Sequence, residues 1–442
     1  MDYDAHLTRK AFLGRVAALA ALSAGVPSAA EAALAKRPAR PLWTSGRNLT
    51  GPLANPLYAV AADATSARTY LAKCAGGSIQ IAQSLDEGRT FSAWSAISGI
   101  GDASDVPLDR SLVVDEVTKR LHLLYAVGVD DPSRAAVLRY VHSDNGGASW
   151  SSPITIDDGV TSTGVNHGTN RFVRVGMAAH GGVVHIAWAS ISNSTFLTDG
   201  LSYVRSTNGG NSFGRPVQPF AGTVSPSRPD IALIGNTVLL TWTDARYGSA
   251  YNGNPGEVFV GRSVDGGATW RQKRLTFTAS RWGAGMALRP VICAGSNRTV
   301  TIVWQAPDSA PLAGAGGVTG HNSPGTEDLF SIHSVNGGAA WGRPRVLVRA
   351  PHAQDHAYLA QHGSLVACVW GDFRSSPHQL RVAFSTNGGS TFGPSLQPIR
   401  TSADASAPRV VASRDYFQVY SAEGGNGVFQ TRLPYRSLAR TR

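Results

Sequence analysis

The chain has 442 residues, 49 of them glycine, a charged fraction of 16% and a net charge of +11. Abundant glycine and sparse charge fit many short strands joined by tight turns. The cations are scattered with no Lys/Arg run, which sets nucleic acid aside and leaves acidic glycans or other cell-surface polyanions as the partners a basic protein suits. Cys74, Cys293 and Cys368 sit in apolar stretches, and their odd number argues against a disulfide framework. No Cys/His spacing suggests zinc, so neither a metal nor another cofactor is expected.

In chain order, the first segment is Thr8-Arg-Lys-Ala-Phe-Leu13, then an apolar run from Val16 to Leu22, then small residues ending in Ala33-Leu-Ala35. A charged start, a short apolar stretch and an A-x-A site predict a cleaved export signal over residues 1–35, too short to span a membrane. The Thr-Arg-Lys-x-Phe-Leu string resembles a twin-arginine signal with lysine in place of the second arginine. The segment carries Arg9, Lys10 and Arg15 against Asp2, Asp4 and Glu31, so residues 36–442 keep the +11. The expectation is a periplasmic or secreted monomer, a single domain over 36–442.

Six copies of one pattern follow, starting at Ser84, Ser143, Ser206, Ser263, Ser334 and Ser385 and ending in Phe91, Trp150, Phe213, Trp270, Trp341 and Phe392. Ser and Asp/Asn side chains bond back to nearby backbone N–H groups and hold a turn. A glycine in each copy (Gly88, Gly147, Gly210, Gly267, Gly338, Gly389) supplies positive φ, and the closing aromatic buries a ring against the sheet. Starts about 50–70 residues apart match a four-stranded propeller blade. The pattern resembles the Asp-box, or bacterial neuraminidase repeat, of the sialidase-like propellers. That resemblance covers nearly all of residues 36–442 and is specific for fold more than for activity.

Each interval reads as strands A to D from the channel outward. In the fourth unit these are Pro229–Ile234, Thr237–Thr243, Val258–Arg262 and Gln272–Phe277. The B strands align as His122–Tyr125, Val184–Trp188, Val238–Trp242, Thr301–Trp304 and Leu365–Trp370, rich in β-branched and aromatic residues. After the last box, Ala407–Ser413, Tyr416–Ser421 and Gly427–Leu433 read as three strands lacking a fourth. Pro41–Thr50 precedes the first A strand, Leu57–Asp63, with no blade of its own. The N-terminal segment is therefore expected to close the ring as the missing D strand, leaving no exposed edge. The predicted fold is all-β, a seven-bladed propeller closed by pairing of its two termini; the alternative is the six blades of sialidases.

The boxes are C-to-D turns, so chemistry is expected on the other face, where strands A begin and strands B end. The residues opening the A strands align as Asn55, Arg110, Arg171, Arg228, Arg289, His356 and Ala407. Four arginines converging on one end of a channel suit a carboxylate or sulfate; alternatively, each pairs with an acid such as Asp109, Asp230 or Asp244. Two B strands end in Trp242-Thr-Asp244-Ala-Arg246 and Trp370-Gly-Asp372-Phe-Arg374, a pattern recurring in sialidase-like repeats. Its acid holds either a ligand or a structural ion pair between blades. Long loops on this face, Asp157–Asn170, Asp244–Gly256, Thr278–Leu288 and Ala306–Glu327, bring His167, Tyr247, Tyr251, Trp282, Asp308, His321 and Glu327.

The resemblance implies a sialidase-like exo-glycosidase that grips a sugar carboxylate with three arginines and uses a Tyr–Glu nucleophile with an aspartate acid/base. Ser227-Arg228-Pro229 and Leu288-Arg289-Pro290 echo the F-R-I-P arginine motif of that family, which is absent in full. Tyr251 with Glu257, and Asp244, are the catalytic candidates. Arg110, Arg171, Arg228, Arg289, Arg246, Asp372, Arg374 and His167 are the substrate-binding ones. Two other readings stay open: a lyase on uronate glycans using His and Tyr near a neutralising arginine, with His167, His321 and Tyr247 suited to it, and a non-catalytic glycan-binding or scaffold propeller.

Overall fold

The computed structural model describes residues 43–44, 46–51, 58–75, 77–100, 103–105, 110–127, 137–158, 170–192, 198, 200–247, 256–277, 287–307, 327–350, 352–423 and 426–439. Trp43–Tyr435 forms one compact unit. The other, Met1–Leu42 with Arg436–Arg442, is described only in the last residues of a short helix, Tyr435–Ala439. The expected export signal lies outside the described residues.

Seven antiparallel sheets make seven blades. Blade 4 has the expected four strands, Ser227–Ile234, Thr237–Asp244, Glu257–Ser263 and Arg271–Arg274, and blade 5 repeats them as Leu288–Ala294, Val300–Pro307, Glu327–Ser334 and Arg345–Val348. Blades 3 (Asn170–His180, Val183–Ser192, Ser202–Ser206) and 6 (Gln354–His362, Leu365–Asp372, Gln379–Ser385) have three described strands. In each of these two, the outermost position is held by a single bridge, Tyr203–Val217 or Val382–Leu396. The innermost strands surround a channel of about 550 Å³, to which Ala59, Val113, Met177, Ala232, Ala294, Leu359 and Val410 contribute one residue from each blade. Between blades, the B-strand indoles Trp188, Trp242, Trp304 and Trp370 are fully buried.

Blade 7 consists of Ala405–Ala412, Tyr416–Glu423 and Gly427–Pro434, and its fourth strand is Arg47–Asn48 from the other end of the chain. Arg47 lies opposite Gln430 and Asn48 opposite Phe429. Beyond this short ladder, Thr44 N–H donates to the Arg432 carbonyl at 3.1 Å and Leu49 N–H to Val428 at 2.8 Å. The seven-blade closure read from the sequence is thus present.

All six box turns carry the same bonds. The serine hydroxyl accepts the N–H of Gly88, Gly147, Gly210, Gly267, Gly338 or Gly389 at 2.7–2.9 Å. It donates to the Asp or Asn side chain at 2.6–2.9 Å. The closing aromatics are half-buried rather than buried. Box backbones bond to A-to-B turns, as Gly209 N–H does to Gly182 O (2.7 Å) and Gly266 N–H to Asn236 O (3.0 Å), which puts the boxes at the opposite end from where the A strands begin.

Two box glycines also lock neighbouring blades together. Gly210 and Gly267 have φ of 86° and 88°, and a Cβ on either would strike the Tyr140 or Tyr203 hydroxyl of the preceding blade. Those hydroxyls meet buried histidines, His122 Nδ1 at 2.6 Å and His185 Nδ1 at 2.7 Å. Burial pushes His122 down to about 3 and, with help from Arg205, His185 to about 4. Both folded values lie below the unfolded value, so the stability they hold is present above about pH 6.5 and is lost as pH falls. At pH 5.5 each is expected to cost about 1.4 kcal/mol. Thermal melts at pH 7.5 and 5.5 check this: the drop should shrink in a His122→Gln/His185→Gln protein.

Candidate functional site at the channel mouth

The mouth is shaped by a repeated backbone device. In blades 4 to 7, pairing of the innermost strand skips two residues, between Ser227 and Asp230, Leu288 and Val291, Asp355 and Tyr358, and Ser406 and Arg409. The first skipped residue is left-handed: Arg228 (56°), Arg289 (54°), His356 (55°) and Ala407 (45°). The second is proline in three cases, Pro229, Pro290 and Pro408, where no ladder N–H is needed. Arg110 of blade 2 is left-handed too, at 46°. Such a conformation costs of order 1 kcal/mol in a residue with a Cβ. Ala407 makes the same turn with no polar head, so the turn does not require arginine. Arg171 departs from the expected alignment. It lies opposite Ile191, three residues beyond Trp188, whereas the blade 4 skip falls beside Trp242, between the partners of Thr243 and Thr241.

Arg110 and Arg289 each pair with an acid. Arg110 reaches from blade 2 to blade 4, its Nε 2.7 Å from Asp230 Oδ1, and donates from Nη2 to Ile292 O of blade 5 at 2.6 Å. Asp230 also accepts the N–H of Ile231 at 2.9 Å and of Ile292 at 2.8 Å. Arg110, Arg228, Asp230 and Tyr358 share a small cavity under the mouth. In blades 5 and 6, Arg289 pairs with Asp355 and lies 3.2 Å from the ring nitrogens of His356. His356 Nδ1 is 2.8 Å from Asp355 Oδ2. Burial opposes the charge of Asp355, but His356 and then Arg289 hold its carboxyl well below the usual range. Glu327 moves the other way, raised by burial first and then by the charge of Asp355. Arg409, 4% exposed, stacks 4.2 Å over the Tyr358 ring. The described mouth thus gathers Arg110, Arg228, Arg289 and Arg409 with the carboxyl groups of Asp230, Asp355 and Glu327.

The W-x-D-x-R residues are held within their own motifs. Asp244 is fully buried and accepts from Trp242 Nε1 (3.0 Å), Arg246 Nε (3.0 Å) and Arg246 Nη2 (2.7 Å). Asp372 accepts from Trp370 Nε1 at 3.4 Å and Arg374 Nη2 at 2.7 Å. Their ion pair lies inside one repeat rather than between blades. The acid gives a buried indole its acceptor: in blade 3, which lacks it, Trp188 Nε1 donates to Asp157 at 2.5 Å. Glu257 is fully buried, opposite Asp244 across the ladder, and bound by Arg274 Nη2 at 2.9 Å and by Thr276. Tyr251, His167, Trp282, Asp308 and His321 lie outside the described residues. Sequence reasoning passed over Asp355, Tyr358 and Arg409; the repeated skip, visible as Ala407-Pro-Arg409 beside Ser227-Arg-Pro229-Asp230, was the available signal. Among the described residues no group of three His, Cys, Asp or Glu is placed to hold a metal ion, and no helix is long and apolar enough to cross a membrane.

No family model matches the chain, and no curated protein does. Solved structures are similar to it at low identity. A protein of unknown function from Dyadobacter fermentans is 14% identical, covering 88% of this chain and 99% of its own, with a TM-score of 0.50. The endosialidase of phage phi92 is 8% identical over 76% of this chain and 68% of that one, at 0.48. YCF48, solved bound to a D1 peptide, is 13% identical over 89% and 95%, at 0.49. At 14% identity the likeness to the Dyadobacter protein is one of fold alone, and a fold does not fix a function.

Proposed function

We propose that this propeller is an exported glycoside hydrolase of acidic glycans that seats a sugar carboxylate among Arg228, Arg289 and Arg409 at the channel mouth. The observation that carries this is the placing of arginines on a turn that Ala407 makes equally well. A guanidinium is not needed to make the turn, and its fork of donors suits a carboxylate. Glu327, whose proton affinity burial raises, is the candidate acid for the departing oxygen, and a water molecule takes that oxygen's place on the sugar. Asp355, kept ionised, stabilises the positive charge that develops on the sugar. Asp244 and Glu257 drop out of this scheme because both are fully buried.

The Asp355–His356 contact beside Arg289 favours one second reading. An arginine neutralising a uronate carboxylate acidifies the adjacent C–H, the neutral form of His356 removes that proton, and the glycosidic oxygen leaves with a proton from water to give an unsaturated sugar. The product separates the two. On sialosides and oligouronates, hydrolysis releases sugar with no new ultraviolet absorbance, whereas elimination creates an absorbing unsaturated uronate. Glu327→Gln should lower hydrolysis roughly 10²–10⁴-fold, and His356→Asn should do the same to elimination. Binding without turnover in either assay would leave a non-catalytic binder.

A further inference from the structure

Blade 4 carries an aromatic feature that the channel mouth does not use. Tyr247, just past strand B, and Phe277, just past strand D, are 54% and 53% exposed. Between them sits Arg274, its guanidinium 4.1 Å from the Tyr247 ring and 4.8 Å from the Phe277 ring. Arg274 is itself fixed, donating to Glu257 at 2.9 Å and from Nε to the Thr276 carbonyl at 2.7 Å. On the inner side, Tyr247 lies parallel to Phe259 within 3°, and Arg246 stacks on Phe259 at 4.5 Å. Two large rings are thus held still in water by neighbours whose charges Glu257 and Asp244 already balance.

Exposed aromatics in one rigid group mark an interaction surface, and rigidity lowers the cost of binding. The adjoining outer strand reads Arg271-Gln272-Lys273-Arg274, with Arg271 and Lys273 exposed and no acid among the four. Strands A and B pair with Ser227 opposite Thr243, and B and C pair with Asp244 opposite Glu257. The aromatic pair therefore lies on the same face as Arg228, up to three strand spacings outward, about 14 Å.

We infer that Tyr247 and Phe277 form an outer subsite for an acidic polysaccharide, stacking on a sugar further along a chain whose carboxylate is held at the mouth. This rests on the reading above and extends it from one sugar to a polymer. Apolar sugar faces suit the rings, and the carboxylates between them suit Arg271 and Lys273.

Calorimetric titration of the full chain with a uronate dimer and a uronate octamer tests it. The octamer should bind roughly tenfold tighter than the dimer, as expected when two linked sites are engaged. Tyr247→Ala/Phe277→Ala should remove that gain and leave dimer affinity unchanged. Lys273→Glu, a change at an exposed position that leaves the rings in place, should reduce it. Equal dimer and octamer affinities in the unaltered protein would sink the outer subsite alone. Loss of dimer binding in the double variant would contradict a separate subsite. A single-stranded oligonucleotide that displaces the octamer and depends on the two rings would assign the surface to nucleic acid instead. Failure of both oligouronates to bind would overturn the mouth site and the subsite together.

Discussion

Removing residues 43–50 is expected to cost roughly 5 kcal/mol and to leave the protein prone to aggregate. Besides the two backbone bonds of Thr44 and Leu49, the segment supplies Thr44 Oγ1 to Arg432 N–H at 3.0 Å, Thr44 O to Thr431 Oγ1 at 2.7 Å, and Thr50 Oγ1 to Val428 N–H at 3.0 Å. Asn48 Nδ2 adds a bond to Asn426 O at 2.7 Å. Six bonds at the low end of the usual net value, about 0.5–0.8 kcal/mol each, account for most of that figure. Leu49 adds packing against the cluster of Tyr58, Leu71, Tyr420 and Val428. Such a loss is a large part of a typical folding free energy. It also exposes Gly427–Pro434 as an open edge that invites pairing with another chain. Thermal melting and size-exclusion of the truncated protein check this. An unchanged melting temperature with no new association would contradict closure by the N-terminal strand.

The second large effect is expected at Arg110. Arg110→Met should destabilise the fold by about 3–5 kcal/mol, because Asp230, whose side chain is 10% exposed, loses the guanidinium 2.7 Å away. Arg289→Met should cost less, since Asp355 keeps His356. Combining Arg110→Met with Asp230→Asn should recover much of the loss, as paired residues are non-additive. Denaturant unfolding of the three proteins measures this. Wild-type stability in Arg110→Met would show that the pair spanning blades 2 and 4 does not hold the mouth together.

The fold was legible because its signals are local and repeated. Each box supplies its own hydroxyl, carboxyl or amide, and glycine within eight residues, and each B strand announces itself by β-branched and aromatic runs. The unboxed seventh unit could be paired with Pro41–Thr50 by counting strands. The mouth was only half legible. The left-handed turn repeats in sequence as an arginine or its replacement before proline, so Arg228 and Arg289 could be aligned. What each arginine meets could not be read, because Asp230 comes to Arg110 from 120 residues away, across a channel that exists only once the ring closes. Arg171 was misplaced because blade 3 does not make the two-residue skip. The aspartates of W-x-D-x-R looked like ligands because their indole and guanidinium partners are each two residues away, too close for spacing alone to distinguish a bond from a neighbour.

The most direct test of the central claim is calorimetric binding of a carboxylated sugar and its uncharged analogue to the unaltered protein, Arg228→Met and Arg289→Met, each confirmed folded by its melt. The carboxylated sugar should bind and the neutral one should not. Each substitution should weaken binding by roughly 2–5 kcal/mol, the range for truncating one partner of a buried charged contact. Equal binding of the two sugars, or affinities untouched by both substitutions, would contradict an anion site at the channel mouth.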